Sequence, residues 1–394
     1  MTNISTHFYN AIPVKQQNLT KIEYQKTPSQ NGEQMTDNTD LNKSPASIYN
    51  RVQCSKVEKT SGVTEKQRSS YQKNLDCIIG GALGDALGRP VERLRSDQLF
   101  EHYGKNGIRD LATVGMKARV TDDTQMTMFT ADGLIKSALK NGKGADPNYN
   151  IIYNSYEDWY NTQTKEFEEC TPHGWLSSVP DLYSPVGPGR TCLSSLKAGI
   201  PGTIEKPVNE SNGCGGVMRV APVGLMYDDP KKAFEVGAQC SALTHGGPNA
   251  YLPSGFHAAV VSNIKQGKSL EDAFNNSLEI LKTYENHEDT YNLITKAIDL
   301  AKSDVSSDKA IEMLGHGFLG HEAMAIATYA IFKEPDNLKE ALCLAVNHTG
   351  DSDSTGAITG NILGLAIGTD TVPSEWRNVR SHYSNIWIMK FITT

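Results

Sequence analysis

The sequence predicts an all-α domain preceded by a polar tail that does not fold. Two observations carry this. From residue 74 onward apolar residues recur at helical spacing, and alternating strand patterns are nearly absent. Before residue 73 the chain is rich in Asn, Gln, Ser, Thr and Lys, and its apolar residues occur singly. The first 73 residues hold ten Lys+Arg and six Asp+Glu, a charge of +4, which leaves −11 on the remainder of a chain of net charge −7. So polar a segment cannot offset the roughly 1–2 kcal/mol per residue that ordering its backbone costs. Residues 1–70 are therefore expected to be a disordered extension, and 74–394 a single folded domain.

Along that domain the helical segments follow in order. LDCIIGGALGDALG (75–88) is a short apolar helix of small residues, and TDDTQMTMFTADGLIKSALKNG (121–142) has a capped start and an Asn-Gly stop. Helices are also expected at 231–245, 250–266, 270–284, 290–303, 321–333, 338–348 and 355–368. The stretch Thr171 to Glu210 is rich in Gly, Pro and Ser and reads as one long loop. No fixed-period repeat is present.

Composition excludes several classes. An acidic chain of pI near 5.8 is no charge-driven nucleic-acid binder. No apolar run approaches the roughly 20 residues of a membrane span, and the N-terminus lacks a secretory apolar core. Seven cysteines without a CxxC pair argue against a disulfide scaffold or a thiolate zinc cluster and for a reducing compartment, so the expected location is the cytoplasm.

Two motifs at helix starts offer chemistry. In Thr121-Asp122-Asp123-Thr124 only one residue can cap the helix, and two adjacent carboxylates repel each other unless a cation binds. Asn347-His348-Thr349-Gly350-Asp351-Ser352-Asp353-Ser354-Thr355-Gly356 also precedes a helix and alternates carboxylates with hydroxyls. Together they supply hard oxygen donors that select Mg²⁺, Mn²⁺ or Ca²⁺ over zinc. Four carboxylates can neutralise two divalent ions, and a pair about 3.5–4 Å apart can activate a shared water. An EF-hand loop is excluded, because position 12 counted from Asp351 is Ile362 and not Glu.

Gly80, Gly84 and Gly88 recur every four residues, as do Gly356, Gly360, Gly364 and Gly368, which puts each set on one helix face. The second helix is too short for a membrane GxxxG pair. The stripes predict close helix–helix contact between Gly84 or Gly88 and Gly356 or Gly360, drawing the two acidic motifs together. Packing does not explain Asp85 or Glu92. Asn212-Gly213-Cys214-Gly215-Gly216-Val217-Met218-Arg219 is a glycine-rich loop whose N–H groups can cradle phosphate oxygens, or simply a tight turn. His245 in Thr244-His245-Gly246 is a capping or a functional group. No GxSxG elbow or HExxH is present.

These pieces, in this order, resemble the ADP-ribosylglycohydrolases, the family of the dinitrogenase-reductase-activating glycohydrolase and the ADP-ribosylarginine hydrolases. The carrying residues are GDALGRPVE (84–92), TDDTQM (121–126), NGCGGVMRVAPVG (212–224), THG (244–246) and GDSDSTGAITGNILG (350–364). The resemblance implies an all-α fold with a two-metal cleft holding Mg²⁺ or Mn²⁺. It implies Thr121, Asp122, Asp123, Asp351, Asp353 and Ser354 as metal ligands. Glu92 matches the acidic residue of a mobile lid. Gly213, Cys214, Gly215, Gly216, Val217 and His245 match positions that contact the diphosphate of ADP-ribose. The implied activity is hydrolysis of the N-glycosidic bond between ADP-ribose and a protein side chain, with Asp122, Asp123, Asp351 or Glu92 taking a proton from the attacking water. GDSDST looks more like the arginine-specific members than the serine-specific ones. Hydrolysis of ADP-ribosylserine or O-acetyl-ADP-ribose, or non-catalytic binding of ADP-ribosylated targets or of a toxin transferase, are the alternatives. The expected partner is an ADP-ribosylated protein substrate. The tail adds three readings: an inert segment, an arm toward a cognate transferase as in immunity-type members, or a signal for a secretion machinery, which would make the chain a bacterial effector acting in a host cytosol.

Overall fold

The computed structural model describes residues 68–111, 119–171 and 174–376. The extension expected to be disordered lies, up to residue 67, outside the described residues. Within them the chain forms fourteen α-helices and no strand, only an isolated bridge between Gly213 and Leu319. The helices are α1 (Ser70–Gly88), α2 (Ser96–Tyr103), α3 (Asp122–Asn141), α4 (Tyr149–Thr164), α5 (Arg190–Lys197), α6 (Ala221–Met226) and α7 (Pro230–Ala242). They continue with α8 (Pro248–Lys265), α9 (Leu270–Leu281), α10 (Glu288–Ala301), α11 (Ser307–Glu312), α12 (Gly320–Lys333), α13 (Leu338–Val346) and α14 (Ser352–Ile367). The all-α expectation holds, though α2, α4, α6 and α11 lie outside the segments expected to be helical, and two further differences concern expected boundaries. The first helix starts at Ser70, ahead of the expected 75, because Ser69 caps it by accepting from the N–H of Gln72. The expected loop from Thr171 to Glu210 contains α5, whose Cys192, Ser195 and Leu196 are buried.

The core is built around α8, in which every residue from Leu252 to Ile264 is buried. Phe256 of α8 meets Phe274 of α9 edge-on at 5.6 Å, and Phe274 meets Phe332 of α12 at 5.0 Å. A second cluster joins α3, α4 and α7 through Phe129, Tyr156, Trp159 and Val236.

The first and last of these helices pack most closely. Built onto Gly84, a Cβ would overlap the carbonyl of Gly356; on Gly80 it would overlap that of Gly360; on Gly88 it would overlap that of Ser352. α1 and α14 therefore run antiparallel with backbones in contact, which only glycine allows. The expected contact is formed, Gly84 facing Gly356. It brings the C-terminal end of α1 to the N-terminal end of α14, where the two acidic motifs must meet.

At the other end of this pair Arg68 closes α14. Its guanidinium donates to the carbonyls of Gly364, Leu365 and Ala366 and pairs with Asp76 at 2.9 Å. The carbonyls lie in the last turn of the helix, at the negative end of its dipole, and that of Gly364 also accepts from the N–H of Gly368. Arg68→Ala is expected to cost about 1–3 kcal/mol, since three charge-assisted bonds are lost. Denaturant unfolding of the two proteins checks this, and equal midpoints would reject it.

Candidate active site

A cleft of about 680 Å³ lies where α1, α3 and α14 converge with the glycine loop. Its acidic wall is Glu92, Asp122, Asp123, Asp351 and Asp353, joined by Ser354. Gly213, Cys214 and Gly215 line it next to this wall, and His245, Arg93, Arg190 and Phe318 complete the lining. The sequence-predicted residues are thus brought to one place from as far apart as Glu92 and Ser354. Thr121, Gly216 and Val217 sit behind the lining, each buried.

Each carboxylate is held by local structure. Thr121 is the N-cap of α3, and its hydroxyl donates to Asp123 Oδ2 at 3.0 Å. Asp122 Oδ2 accepts from the N–H of Gly189 at 3.0 Å, tying the start of α5 to the wall. Cys214 Sγ donates to Asp351 Oδ2 at 3.0 Å, and Asp353 Oδ1 accepts from the N–H of Ser354. Cys214 itself is fixed by its N–H, which donates to the carbonyl of Phe318. Glu92 follows a 3₁₀ turn, Arg89–Val91, at the cleft mouth, where Arg93 Nε pairs with it at 2.7 Å. Arg93 takes a left-handed conformation at φ 61°, which costs a non-glycine residue of order 1 kcal/mol.

Packing alone did not explain Asp85, and the structure assigns it a position behind the wall. It is fully buried and accepts from the N–H groups of Thr121 and Thr124 and from the Thr124 hydroxyl, so it anchors the start of α3 from α1. Burial pushes its carboxyl up to about 6, against the lowering effect of these bonds.

The wall is electrostatically uncomfortable as it stands. Asp122, Asp123 and Asp353 all have pKa values raised well above the usual carboxylate range, first by burial and then by repulsion from the neighbouring carboxylates. Glu92 is raised by burial and by Asp351. Asp123 Oδ1 is buried without a hydrogen-bond partner. Among the described residues no group of three or more His, Cys, Asp or Glu is drawn into a finished metal-binding arrangement. The donors nevertheless suit a divalent cation in kind: they are hard oxygens, mutually repelling, and one of them is orphaned.

A family model for ADP-ribosylglycohydrolase matches residues 66–392. The chain belongs to this family. Its members are glycosidic-bond hydrolases, and the chain is an enzyme of that class. It is 26% identical over 341 residues to human ADP-ribosylhydrolase ARH3, covering 79% of this chain and 90% of the relative. It is 23% identical over 318 residues to ADP-ribosylarginine hydrolase Tri1 of Serratia proteamaculans, covering 79% and 75%. A solved structure described as an ADP-ribosylglycohydrolase-related protein complex aligns with a TM-score of 0.50 at 19% identity, over 82% of this chain and 99% of that one, and shows the same fold. No helix among the described residues is long and apolar enough to cross a membrane.

Several cleft residues escaped the sequence reading. Gly187 to Cys192 line the cleft from within the expected loop, Phe318 and Arg93 flank its mouth, and Arg219 lies buried beneath it. The glycine-rich PVGPGR run at 185–190 was the available signal for the first of these.

Proposed function

We propose that the chain removes ADP-ribose from modified arginine side chains, and that Mg²⁺ or Mn²⁺ ions held by the acidic wall are required. One observation carries this reading: carboxylates from two distant helix starts share a cleft with a glycine loop and a buried histidine, so a cation-binding wall adjoins an anion-binding loop. Thr121, Asp122, Asp123, Asp351, Asp353 and Ser354 would hold two ions, Thr121 through an oxygen lone pair while its proton stays on Asp123. When bound, such ions neutralise the wall, polarise ribose hydroxyls and make a water more acidic.

The chain's own groups account for the rest. The glycines at 213 and 215 leave room for the diphosphate to lie against the backbone, and His245 stands beside them. Glu92, at the mouth and paired with one exposed arginine, takes the proton from the attacking water. Asp122, Asp123, Asp351 and Asp353 each have an oxygen engaged, with Gly189, Thr121, Cys214 and Ser354 in turn, and are assigned to holding the ions rather than to moving a proton. Attack at the anomeric carbon passes through an oxocarbenium-like state, as in other glycoside cleavage. Arginine is favoured over serine by the GDSDST motif, and one relative, the Serratia enzyme, is named an ADP-ribosylarginine hydrolase.

The test is turnover of three defined conjugates, ADP-ribosylarginine, ADP-ribosylserine and O-acetyl-ADP-ribose, each with Mg²⁺, with Mn²⁺ and with excess chelator. The expected result is release of ADP-ribose from the arginine conjugate alone, abolished by chelator. Release from serine with none from arginine would overturn the acceptor, and full activity in chelator would overturn the metal requirement.

A further inference from the structure

Beneath the glycine loop lies a buried cation whose charge the reaction scheme above does not use. Arg219 is 0% exposed and stacks on Tyr156 at 4.2 Å from the ring centre. It has no carboxylate partner among the described residues. Its Nη2 donates to the carbonyl of Cys240 at 3.1 Å and to Thr244 Oγ1 at 2.7 Å, while its Nε has no partner. Burying an arginine in this way is costly unless its charge and its donors are put to use. Thr244 Oγ1 in turn lies 2.8 Å from Nδ1 of His245.

We infer that Arg219 and Thr244 form a positioning relay that holds His245 as the Nε2–H tautomer, so that its ring offers the cleft a hydrogen-bond donor for an anionic oxygen. The identity of that oxygen, one of the diphosphate of ADP-ribose, rests on the function proposed above. The direction of the relay follows from what each group can do. A guanidinium only donates, so Thr244 Oγ1 must accept from it. The threonine's own proton has two acceptors in reach, His245 Nδ1 at 2.8 Å and the carbonyl of Ser241 at 3.5 Å. The first is a full hydrogen bond and the second is at the limit of one. The proton goes to Nδ1, and the cation polarises the hydroxyl in that sense. A neutral imidazole that accepts at Nδ1 carries its proton on Nε2. The ring is kept neutral, because burial and then the charge of Arg219 push its pKa down to about 3.

The Nε2 edge faces the glycine loop. A Cβ built on Gly215 would come 3.0 Å from Nε2, and one on Gly213 would come 3.6 Å from it. His245 lines the cleft, and its Nε2 has no protein partner among the described residues. The donor thus points into space that only side-chain-free backbone borders. A histidine in the other tautomer would present a lone pair there and repel a phosphate oxygen.

The experiment is a long-range ¹H–¹⁵N correlation spectrum of histidine-labelled protein, with His245 assigned through His245→Gln, together with calorimetric titration of ADP-ribose. Wild type and Thr244→Ser should show His245 protonated at Nε2 and bind ADP-ribose within about 3-fold of each other. Thr244→Val should lose the tautomer preference and bind roughly 10- to 100-fold more weakly, the worth of one charge-assisted hydrogen bond. If Thr244→Val does not fold, the wild-type spectrum decides: Nε2–H supports the relay and Nδ1–H overturns it. Unchanged affinity in a folded Thr244→Val also overturns it. A wild type that shows Nε2–H but does not bind ADP-ribose supports the relay and overturns the assigned ligand.

Discussion

Asp123→Asn is expected to lower turnover of an ADP-ribosylarginine substrate by about 100-fold or more, while the metal-free protein melts no lower than wild type. The two effects have one cause. Asp123 is 3% exposed, and Asp85, Asp122 and Asp351 repel it. Asparagine keeps nearly the same shape and can still accept from the Thr121 hydroxyl, so removing the charge relieves the repulsion among the carboxylates and weakens cation binding. Asp353→Asn, whose carboxylate is repelled by Asp123 and Asp351, should behave alike. The checks are kcat/KM with Mg²⁺ and melting curves in chelator and in Mg²⁺. Wild type should gain more from the metal than either variant. An active Asp123→Asn, or a wild type that Mg²⁺ does not stabilise, would sink the metal assignment.

Gly360→Leu should be the most damaging substitution for stability, by about 3 kcal/mol or more. Even the first carbon of the new side chain would overlap the carbonyl of Gly80 and crowd the N–H of Gly81. Both are backbone atoms of α1 and have no rotamer through which to yield. The helices must separate, and the start of α14 carries Asp351, Asp353 and Ser354 with it. Activity should therefore fall even in the molecules that remain folded. Thermal unfolding and kcat/KM measured together check this, and an undisturbed melting temperature would reject backbone contact as the basis of the pairing.

What was legible in the sequence is what local spacing encodes. The glycine stripes announce a helix–helix seam because a period of four is a property of one helix. TDDT and DSDS announce themselves because a pair of carboxylates at a helix start exceeds what capping needs. The role of Asp85 was hidden, since its partners Thr121 and Thr124 are 36 and 39 positions away and become neighbours only once α1 and α3 are docked. α5 was hidden for a related reason. It is eight residues long and its start is fixed by the bond from Gly189 to Asp122, so its helicity derives from tertiary contact. α4 was overlooked because YNIIYNSYEDWYNTQT is poor in strong helix formers, although Ile152, Tyr156, Trp159 and Gln163 mark its buried face. Arg219 was passed over because an arginine at the end of a glycine loop is ordinarily at the surface.

The seam between α1 and α14 has a consequence for how the enzyme comes into being. Gly80 and Gly360 meet across about 280 intervening positions, and closing a flexible loop of that length costs on the order of 5 kcal/mol in chain entropy. The acidic wall is divided in the same way, with Glu92, Asp122 and Asp123 synthesised early and Asp351, Asp353 and Ser354 late. A nascent chain still on the ribosome therefore has half of a cleft, and a product that terminates before α14 has neither the seam nor the second half of the wall. Such fragments are expected to be inert rather than partly active. Since Arg68 already bonds the carbonyls at the end of α14, the start of α1 and the end of α14 lie side by side, so the first and last helices described meet only after everything between them has been made.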